Sequence, residues 1–232
     1  MKEQKTNIGK LFDRIAAHYD ALNHLLSLNI DKRWRREAVR SLGKGAGLCL
    51  DVATGTADMA IALIRGKKAA KVVGIDLSEQ MMERGRAKVE RAGLASQITF
   101  RNADCARLPF ADETFDVVTC AYGVRNFAEL DRSLAEMRRV LVHGGELRIL
   151  EFAYPTRPVI RALYDLYFSH ILPLVGGILS HDRKAYDYLP RSVKGFMWGE
   201  RFVERLQHAG FSETSFISQT FGISMLYQGK KI

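Results

Sequence analysis

Three aspartates raise the first chemical question in this 232-residue chain. Asp51 closes the apolar run "LCLD" and is followed by Val52-Ala53-Thr54-Gly55-Thr56-Ala57-Asp58. Asp76 closes "KVVGID" and Asp104 closes "ITFRNAD". A carboxylate just beyond a strand can accept from ribose hydroxyls or an exocyclic amine, and a glycine before a helix lets backbone N–H groups approach a ligand. A dinucleotide turn needs G-x-G-x-x-G to seat its pyrophosphate. Here Gly55 stands alone between Ala53 and Ala57, so a doubly charged pyrophosphate fits poorly. S-adenosylmethionine carries no phosphate and fits better. Its amino-acid end needs a backbone-lined turn, here Thr54-Gly55, and a polar group for the ammonium, which Asp51 or Thr56 can supply. Asp76, followed by Leu77, is placed for the ribose hydroxyls and Asp104 for the adenine amine.

Positioning these residues requires alternating strands and helices, and the pattern supplies them from about residue 46. "GLCLDVA", "KVVGID", "ITFRNAD", "FDVVTCAY" and "ELRILEF" read as strands of a parallel, doubly wound sheet. Helices fall between them: "DMAIALI" with Asp58 as its cap, and "SEQMMERGRAKVERAG" with Ser78 as its cap. "ELDRSLAEMRRVL" follows, stopping at His143-Gly144-Gly145. The last two strands, "ETSFISQT" and "GISMLYQGK", are joined too tightly for a crossover and are expected to form an antiparallel hairpin at or near the sheet edge. Residues 1–45 are expected to form a helical lid over the strand ends, and a helical insertion at about 155–196 interrupts the domain of residues 46–232.

Composition narrows the class. The net charge is +9, which suits an anionic partner or simply a basic enzyme. Cys49, Cys105 and Cys120 form no C-x-x-C pair, so a disulfide framework or metal knuckle is not expected, and the compartment expected is a reducing cytoplasm. No signal peptide is apparent, and the apolar uncharged stretch Leu166–Ser180 is broken by Pro173 and Gly176-Gly177 and is shorter than the roughly 20 residues of a spanning helix.

The chain resembles the quinone-biosynthesis C-methyltransferases nearly end to end. The stretches that carry the resemblance are "FDRIAAHYDALNHLLSLNIDKRWRREAV", "LDVATGTADMA", "GIDLSEQMM", "LPFADETFDVVTCAYGVRNF", "AEMRRVLVHGGELRILEF" and "YDYLPRSVKGF". It departs at Ala57, where many members have glycine, and at Asn29, Val124 and the missing proline before Gly144-Gly145. The resemblance implies a class I, Rossmann-like methyltransferase fold and methyl transfer to a ring carbon of a prenylated hydroquinone. Its cofactor positions fall on Thr56, Asp76, Asp104 with Cys105, and near Ala121, and its arginine-asparagine pair on Arg125 and Asn126.

In that reaction the ring carbon becomes nucleophilic when the adjacent hydroxyl is deprotonated, so a phenolate-like oxygen needs stabilisation. Arg125 is the candidate for that, with Asn126 orienting the same oxygen or fixing the loop. Candidates for a general base are Tyr19, His18, His24, His181 or a water held by Arg125. Tyr19-Asp20 with Asn23 can instead close over the methionine end, and Glu151 can face the ring or make a structural hydrogen bond. Leu163, Tyr164, Leu166, Tyr167, Ile171, Leu172 and Leu174 are expected to line a tunnel for the prenyl tail. Arg157, Arg161, Arg183 and Lys184 are placed to meet acidic headgroups at the inner face of a membrane. Trp34 among Lys32, Arg33, Arg35 and Arg36 either touches a membrane or covers the core, and the insertion is an alternative dimer contact. A nicotinamide-dependent reductase would want more glycines in the turn, and an RNA-binding module a recognisable signature. The sequence offers neither, so no nucleic acid partner is expected.

Overall fold

The computed structural model describes Asp13, Ser27 and residues 29–43, 45–167 and 183–232. Helices and strands follow one another as α1 (Ile30–Arg40), β1 (Ala46–Val52), α2 (Asp58–Arg65), β2 (Ala69–Asp76), α3 (Glu79–Arg91), β3 (Ile98–Asn102) and β4 (Phe115–Ala121). After a short 3-10 turn (Val124–Asn126) come α4 (Leu130–Val140), β5 (Leu141–Phe152), α5 (Pro158–Leu166), α6 (Arg183–Gly195), α7 (Glu200–His208), β6 (Ser212–Gln219) and β7 (Ser224–Lys230). The strands form one sheet in the order β3-β2-β1-β4-β5-β7-β6. β1 pairs in parallel with both β2 and β4, so the winding reverses direction between β1 and β4. Reversal leaves a crevice beyond the strand C-termini. β7 enters antiparallel between β5 and β6, which makes the expected hairpin and leaves β6 at the edge.

The period-two alternation of each strand builds two cores. Cys49, Val72, Val117 and Leu150 point to one face, where Trp34 and Ala38 of α1, Leu63 of α2 and Val89 of α3 cover them. Leu50, Val118 and Ile149 point to the other, under Leu134 and Met137 of α4 and Phe202 and Leu206 of α7. Burying each such side chain contributes about 1.5–3 kcal/mol, which holds the central strands in register and their tips in place. Trp34 belongs to the core: it is 3% exposed, meets Phe152 edge-on and donates from Nε1 to Thr220 Oγ1 at 2.8 Å.

Ser78 caps α3 as expected, accepting from the Met81 N–H at 3.2 Å. Two other expected helix ends differ. The residue preceding α2 is Ala57, with φ 69°, and Asp58 is the first helical residue. Its carboxylate is drawn sideways to Lys88 at 2.5 Å and Arg35 at 3.5 Å, an electrostatic attraction that outcompetes capping. Helix α4 ends at Val140 rather than at Gly144-Gly145. Leu141 is already extended and pairs with Phe115, and the glycines form an irregularity inside β5 before Glu146 pairs with Val117. The fully buried Leu141 side chain gains more from joining the core as a strand residue than from one further helical turn.

Candidate active site

The turn after β1 is built on unusual backbone. Ala53, Gly55 and Ala57 have φ of 54°, 53° and 69°, three left-handed residues within five. Glycine adopts this region freely, whereas each alanine there costs on the order of 1 kcal/mol. The turn is held by neighbours that offset the cost. Thr54 N–H donates to Ile75 O at 2.9 Å and Ala57 N–H to Thr54 O at 2.9 Å. Gly55 N–H donates to Asp76 Oδ2 at 2.9 Å, while Asp76 Oδ1 accepts from Ser78 N–H at 2.9 Å. Asp76 thus ties the tip of β2 to the turn after β1 and to the start of α3. Burial raises its pKa, opposed by these backbone N–H groups.

Asp51 sits below the turn. It is 1% exposed and accepts from Thr54 Oγ1 and Thr119 Oγ1, both at 2.7 Å. Burial pushes its pKa up to about 6 against the pull of those hydroxyls and of Arg35. Its carboxylate therefore shapes the turn from beneath and does not line the cleft above. Thr54 and Thr56 are likewise absent from the cleft walls, with Thr56 Oγ1 lying 3.4 Å from Lys88 Nζ. Asp51 and Thr56 are thus engaged within the protein, beneath a turn whose Ala53 and Gly55 line the cleft.

A cleft with about 820 Å³ of open space lies above the strand tips. It brings together the predicted residues Gly55, Asp76, Leu77, Asp104, Cys105, Ala121 and Asn126. Asp104 accepts from Ala106 N–H at 2.9 Å, and Cys105 Sγ lies 3.3 Å from Ser133 Oγ. Glu129, which sequence reasoning missed, also lines the cleft. Its signal was only a charge three residues after Asn126. Among the described lining residues there is no lysine or arginine, while Asp76, Asp104 and Glu129 contribute carboxylates. In a chain of net charge +9 this is an acidic recess, suited to a cationic, phosphate-free ligand and hostile to a pyrophosphate. S-adenosylmethionine, a sulfonium with a nucleoside and an ammonium, meets that set of acceptors.

The loop after β4 forms the next wall. Gly123 passes so close to the cofactor turn that a Cβ there would lie 2.5 Å from Ala53 Cβ. Arg125, expected to meet an acceptor oxygen, has its side chain 5% exposed and is engaged from several sides. Nη1 donates to Glu151 Oε1 at 2.6 Å and Tyr122 O at 2.5 Å, and Nε to Ser192 Oγ at 3.3 Å. Glu151 is fully buried and also accepts from the N–H groups of Arg125 and Phe152, at 3.1 and 2.8 Å. Of the two alternatives for Glu151, the structural bond is the one observed. Asn126 lines the cleft, and its Oδ1 accepts from Tyr188 OH at 2.7 Å. Tyr188 and Ser192 lie 62 and 67 residues from their partners, and no sequence spacing connects them.

Tyr19, His18, Asp20, Asn23, His24, His181, Ile171, Leu172 and Leu174 lie outside the described residues, as do the side chains of Arg183 and Lys184. The expected tunnel is corrected at Leu163 and Leu166, which are 58% and 53% exposed on α5 alongside Val159 at 72%. Tyr164 alone of that helix is buried, because i, i+4 and i+7 place Val159, Leu163 and Leu166 on the opposite, solvent-facing side.

Comparison with known proteins gives the family. The profile of the ubiE/COQ5 methyltransferase family matches residues 1–231. The chain is 43% identical to a demethylmenaquinone methyltransferase of Bacteroides fragilis over 230 residues, 99% of this chain and 94% of that one. It is also 43% identical over 233 residues to a ubiquinone/menaquinone biosynthesis C-methyltransferase UbiE of Citrifermentans bemidjiense, covering 100% of this chain and 99% of that one. A solved SAM-dependent methyltransferase from Thermotoga maritima superposes with a TM-score of 0.68 at 18% identity, covering 96% and 99% of the two chains, a likeness of fold.

Proposed function

The chain belongs to the ubiE/COQ5 methyltransferase family, and from that premise we propose that it methylates a ring carbon of a prenylated hydroquinone, converting demethylmenaquinol to menaquinol. The observation that carries this reading is the acidic cleft shared by Asp76, Asp104 and the Asn126 loop, which suits a cationic donor and an oxygen-bearing acceptor side by side. S-adenosylmethionine, when bound, supplies an electrophilic sulfonium methyl. The chain's own residues do the rest. Asp76, already oriented by Gly55 and Ser78 N–H groups, keeps lone pairs for the ribose hydroxyls. Asp104 serves the adenine amine, Leu77, Cys105 and Ala121 wall the nucleoside, and the backbone of Ala53–Gly55 receives the amino-acid end. Asn126 faces the acceptor and orients the oxygen beside the reacting carbon. Arg125 acts through the loop: its buried pairing with Glu151 fixes the 3-10 turn that carries Asn126.

We also assign residues 1–45 as a lid and the insertion at about 155–196 as the acceptor's cap. Supporting the lid, Ser78 Oγ at the cleft donates to Asp13 Oδ1 at 2.5 Å. Supporting the cap, Tyr188 and Ser192 of α6 hold the Arg125–Asn126 loop. Tyr19, in the lid segment of the sequence, is proposed as the general base. The exposed Val159, Leu163 and Leu166 face of α5, flanked by Arg157 and Arg161, is assigned to a lipid surface that delivers the prenylated substrate. No helix among the described residues is long and apolar enough to cross a membrane. Incubation with methyl-labelled S-adenosylmethionine and reduced demethylmenaquinone, followed by mass analysis of the lipid, is expected to give singly methylated product. Folded protein that yields no labelled lipid under reducing conditions overturns the assignment.

A further inference from the structure

Helix α6 lays one side along the acceptor loop. Tyr188 and Ser192 are four residues apart and so share a helix face. They reach consecutive loop residues in reverse order, Tyr188 to Asn126 at 2.7 Å and Ser192 to Arg125 at 3.3 Å. The following residue, Val193, is 1% exposed, which anchors the helix against the body of the protein. On the loop side, Asn126 is fixed by its own N–H, which donates to Gly123 O at 2.9 Å. Its side-chain amide retains one consequential freedom, a flip that exchanges Oδ1 and Nδ2.

That flip decides the sign of its interaction with an acceptor. An oxygen that gains negative charge during methyl transfer is stabilised by an N–H donor and repelled by a carbonyl oxygen. We propose that Tyr188 is a positioning residue for the transfer: its phenol donates to Asn126 Oδ1, so that the Asn126 NH2 is the end presented to the acceptor oxygen beside the reacting carbon. The inference rests on the hydroquinone reading above and deepens it, since it specifies which atom of Asn126 recognises the acceptor and what sets that choice. Burial raises the Tyr188 pKa, against the pull of Arg125, so the phenol keeps its proton where a hydroquinone hydroxyl loses one. A role confined to packing would tie Tyr188 to stability and substrate affinity. An orienting role ties it to turnover, and only while Asn126 is there to be oriented.

A double-mutant cycle on the full chain separates the two. Wild type, Tyr188→Phe, Asn126→Ala and the double variant are assayed with labelled S-adenosylmethionine and reduced demethylmenaquinone. S-adenosylhomocysteine affinity is measured by calorimetry as a check on the fold. Tyr188→Phe is expected to lower kcat by about tenfold or more, and Asn126→Ala by about a hundredfold, as for loss of one donor to a developing oxyanion. Nucleoside affinity is expected to be unchanged. The double variant is expected to be no slower than Asn126→Ala alone. Asn126→Asp, which still accepts from Tyr188 but offers no N–H, is expected to lose as much as Asn126→Ala. A Tyr188→Phe kcat within twofold of wild type, or losses that multiply in the double variant, overturns the role of Tyr188 and leaves the acceptor standing. Wild type that transfers no label overturns the acceptor reading and this inference with it.

Discussion

The two halves of the cleft solve the same problem, holding polar groups at strand tips, by opposite means. On the cofactor side, Asp51 and Asp76 are carboxylates engaged by neutral donors: the Thr54 and Thr119 hydroxyls for one, and the Gly55 and Ser78 backbone N–H groups for the other. On the acceptor side, Glu151 is paired with a full opposite charge, the Arg125 guanidinium at 2.6 Å, with both side chains almost completely buried. A neutral hydrogen-bond cage tolerates loss of its charge, whereas a buried ion pair does not tolerate loss of one partner. The cofactor turn is thus a shape that happens to contain charges, and the acceptor loop is a shape made by them.

The sharpest test of that contrast is to neutralise one carboxylate in each half. Glu151→Gln leaves the Arg125 guanidinium buried without a counter-charge, and removing one partner of such a pair costs about 3–5 kcal/mol. A urea melt at pH 7 is expected to show a loss of that order. It is expected to be accompanied by a fall in methyl transfer larger than the fall in nucleoside affinity, because the Asn126 loop is released while the β1 turn is not. An unchanged midpoint would mean that the ion pair is not what fixes the loop.

Asp51→Asn is expected to act with the opposite sign. The native pKa of Asp51, about 6, lies above the ordinary aspartate value. Below the unfolded pKa both states carry the proton and the carboxyl contributes nothing to pH dependence. As pH rises from about 4 to about 6 the native state keeps a proton that the unfolded state has lost, so wild-type stability falls; above that window the native group is ionised and the cost stays constant. Across a window of that width the cost accumulates to about 3 kcal/mol, at about 1.4 kcal/mol for each step of one in pH. The stability difference between Asp51→Asn and wild type is therefore expected to move in favour of the variant by up to that amount between pH 4 and pH 7, measured by denaturation at each pH. A difference independent of pH would show that Asp51 is not the group titrating under the turn.

A smaller effect is expected at Gly74, which pairs with Asp51 across the sheet. A Cβ at this position would lie 2.8 Å from both Cγ2 and Oγ1 of Thr54. Overpacking of this kind costs about 1–3 kcal/mol. Gly74→Ala is expected to push Thr54 away from Asp51 and weaken S-adenosylhomocysteine binding in calorimetry, while leaving the Tyr188–Asn126 coupling in place. Equal damage to both halves would mean that they share one mechanical unit.

The same divide separates what the sequence reveals from what it hides. The strands, their parallel order, the edge hairpin and the Ser78 cap were legible because each is written in a period of two, a period of 3.6 or a residue type at a helix start. The position of Asp76 and Asp104 at the cleft was legible because a strand end fixes where its next side chain falls. The helix ends at Asp58 and Val140 were not, since Lys88 and the β5 pairing, both distant in the chain, decided them. Arg125 was identified as a site residue, but its commitment to Glu151 and Ser192 depends on side chains 26 and 67 residues away. Tyr188 lay inside a stretch noted only for its family likeness, and nothing in its local pattern points to Asn126. Leu163 and Leu166 misled because an amphipathic helix shows that one face is apolar without saying what covers it.

That uncovered face gives the smallest expected effect on the fold and the most selective one on substrate delivery. Val159, Leu163 and Leu166 are exposed, and substitution at such surface positions typically changes stability by no more than about 0.5 kcal/mol. A Val159→Ser, Leu163→Ser double variant is expected to keep its melting midpoint and its S-adenosylhomocysteine affinity. In a flotation assay it is expected to bind less to vesicles containing anionic lipid, where wild type gains from both the apolar face and the neighbouring Arg157 and Arg161. Turnover is expected to fall with a long-tailed hydroquinone presented in those vesicles and to hold with a short-tailed one presented in solution. Under the proposed function the two substrates carry the same ring to Asn126 and differ only in how they arrive. Equal losses on both would place the α5 face in the active site, and equal vesicle binding by variant and wild type would remove the lipid surface from the account.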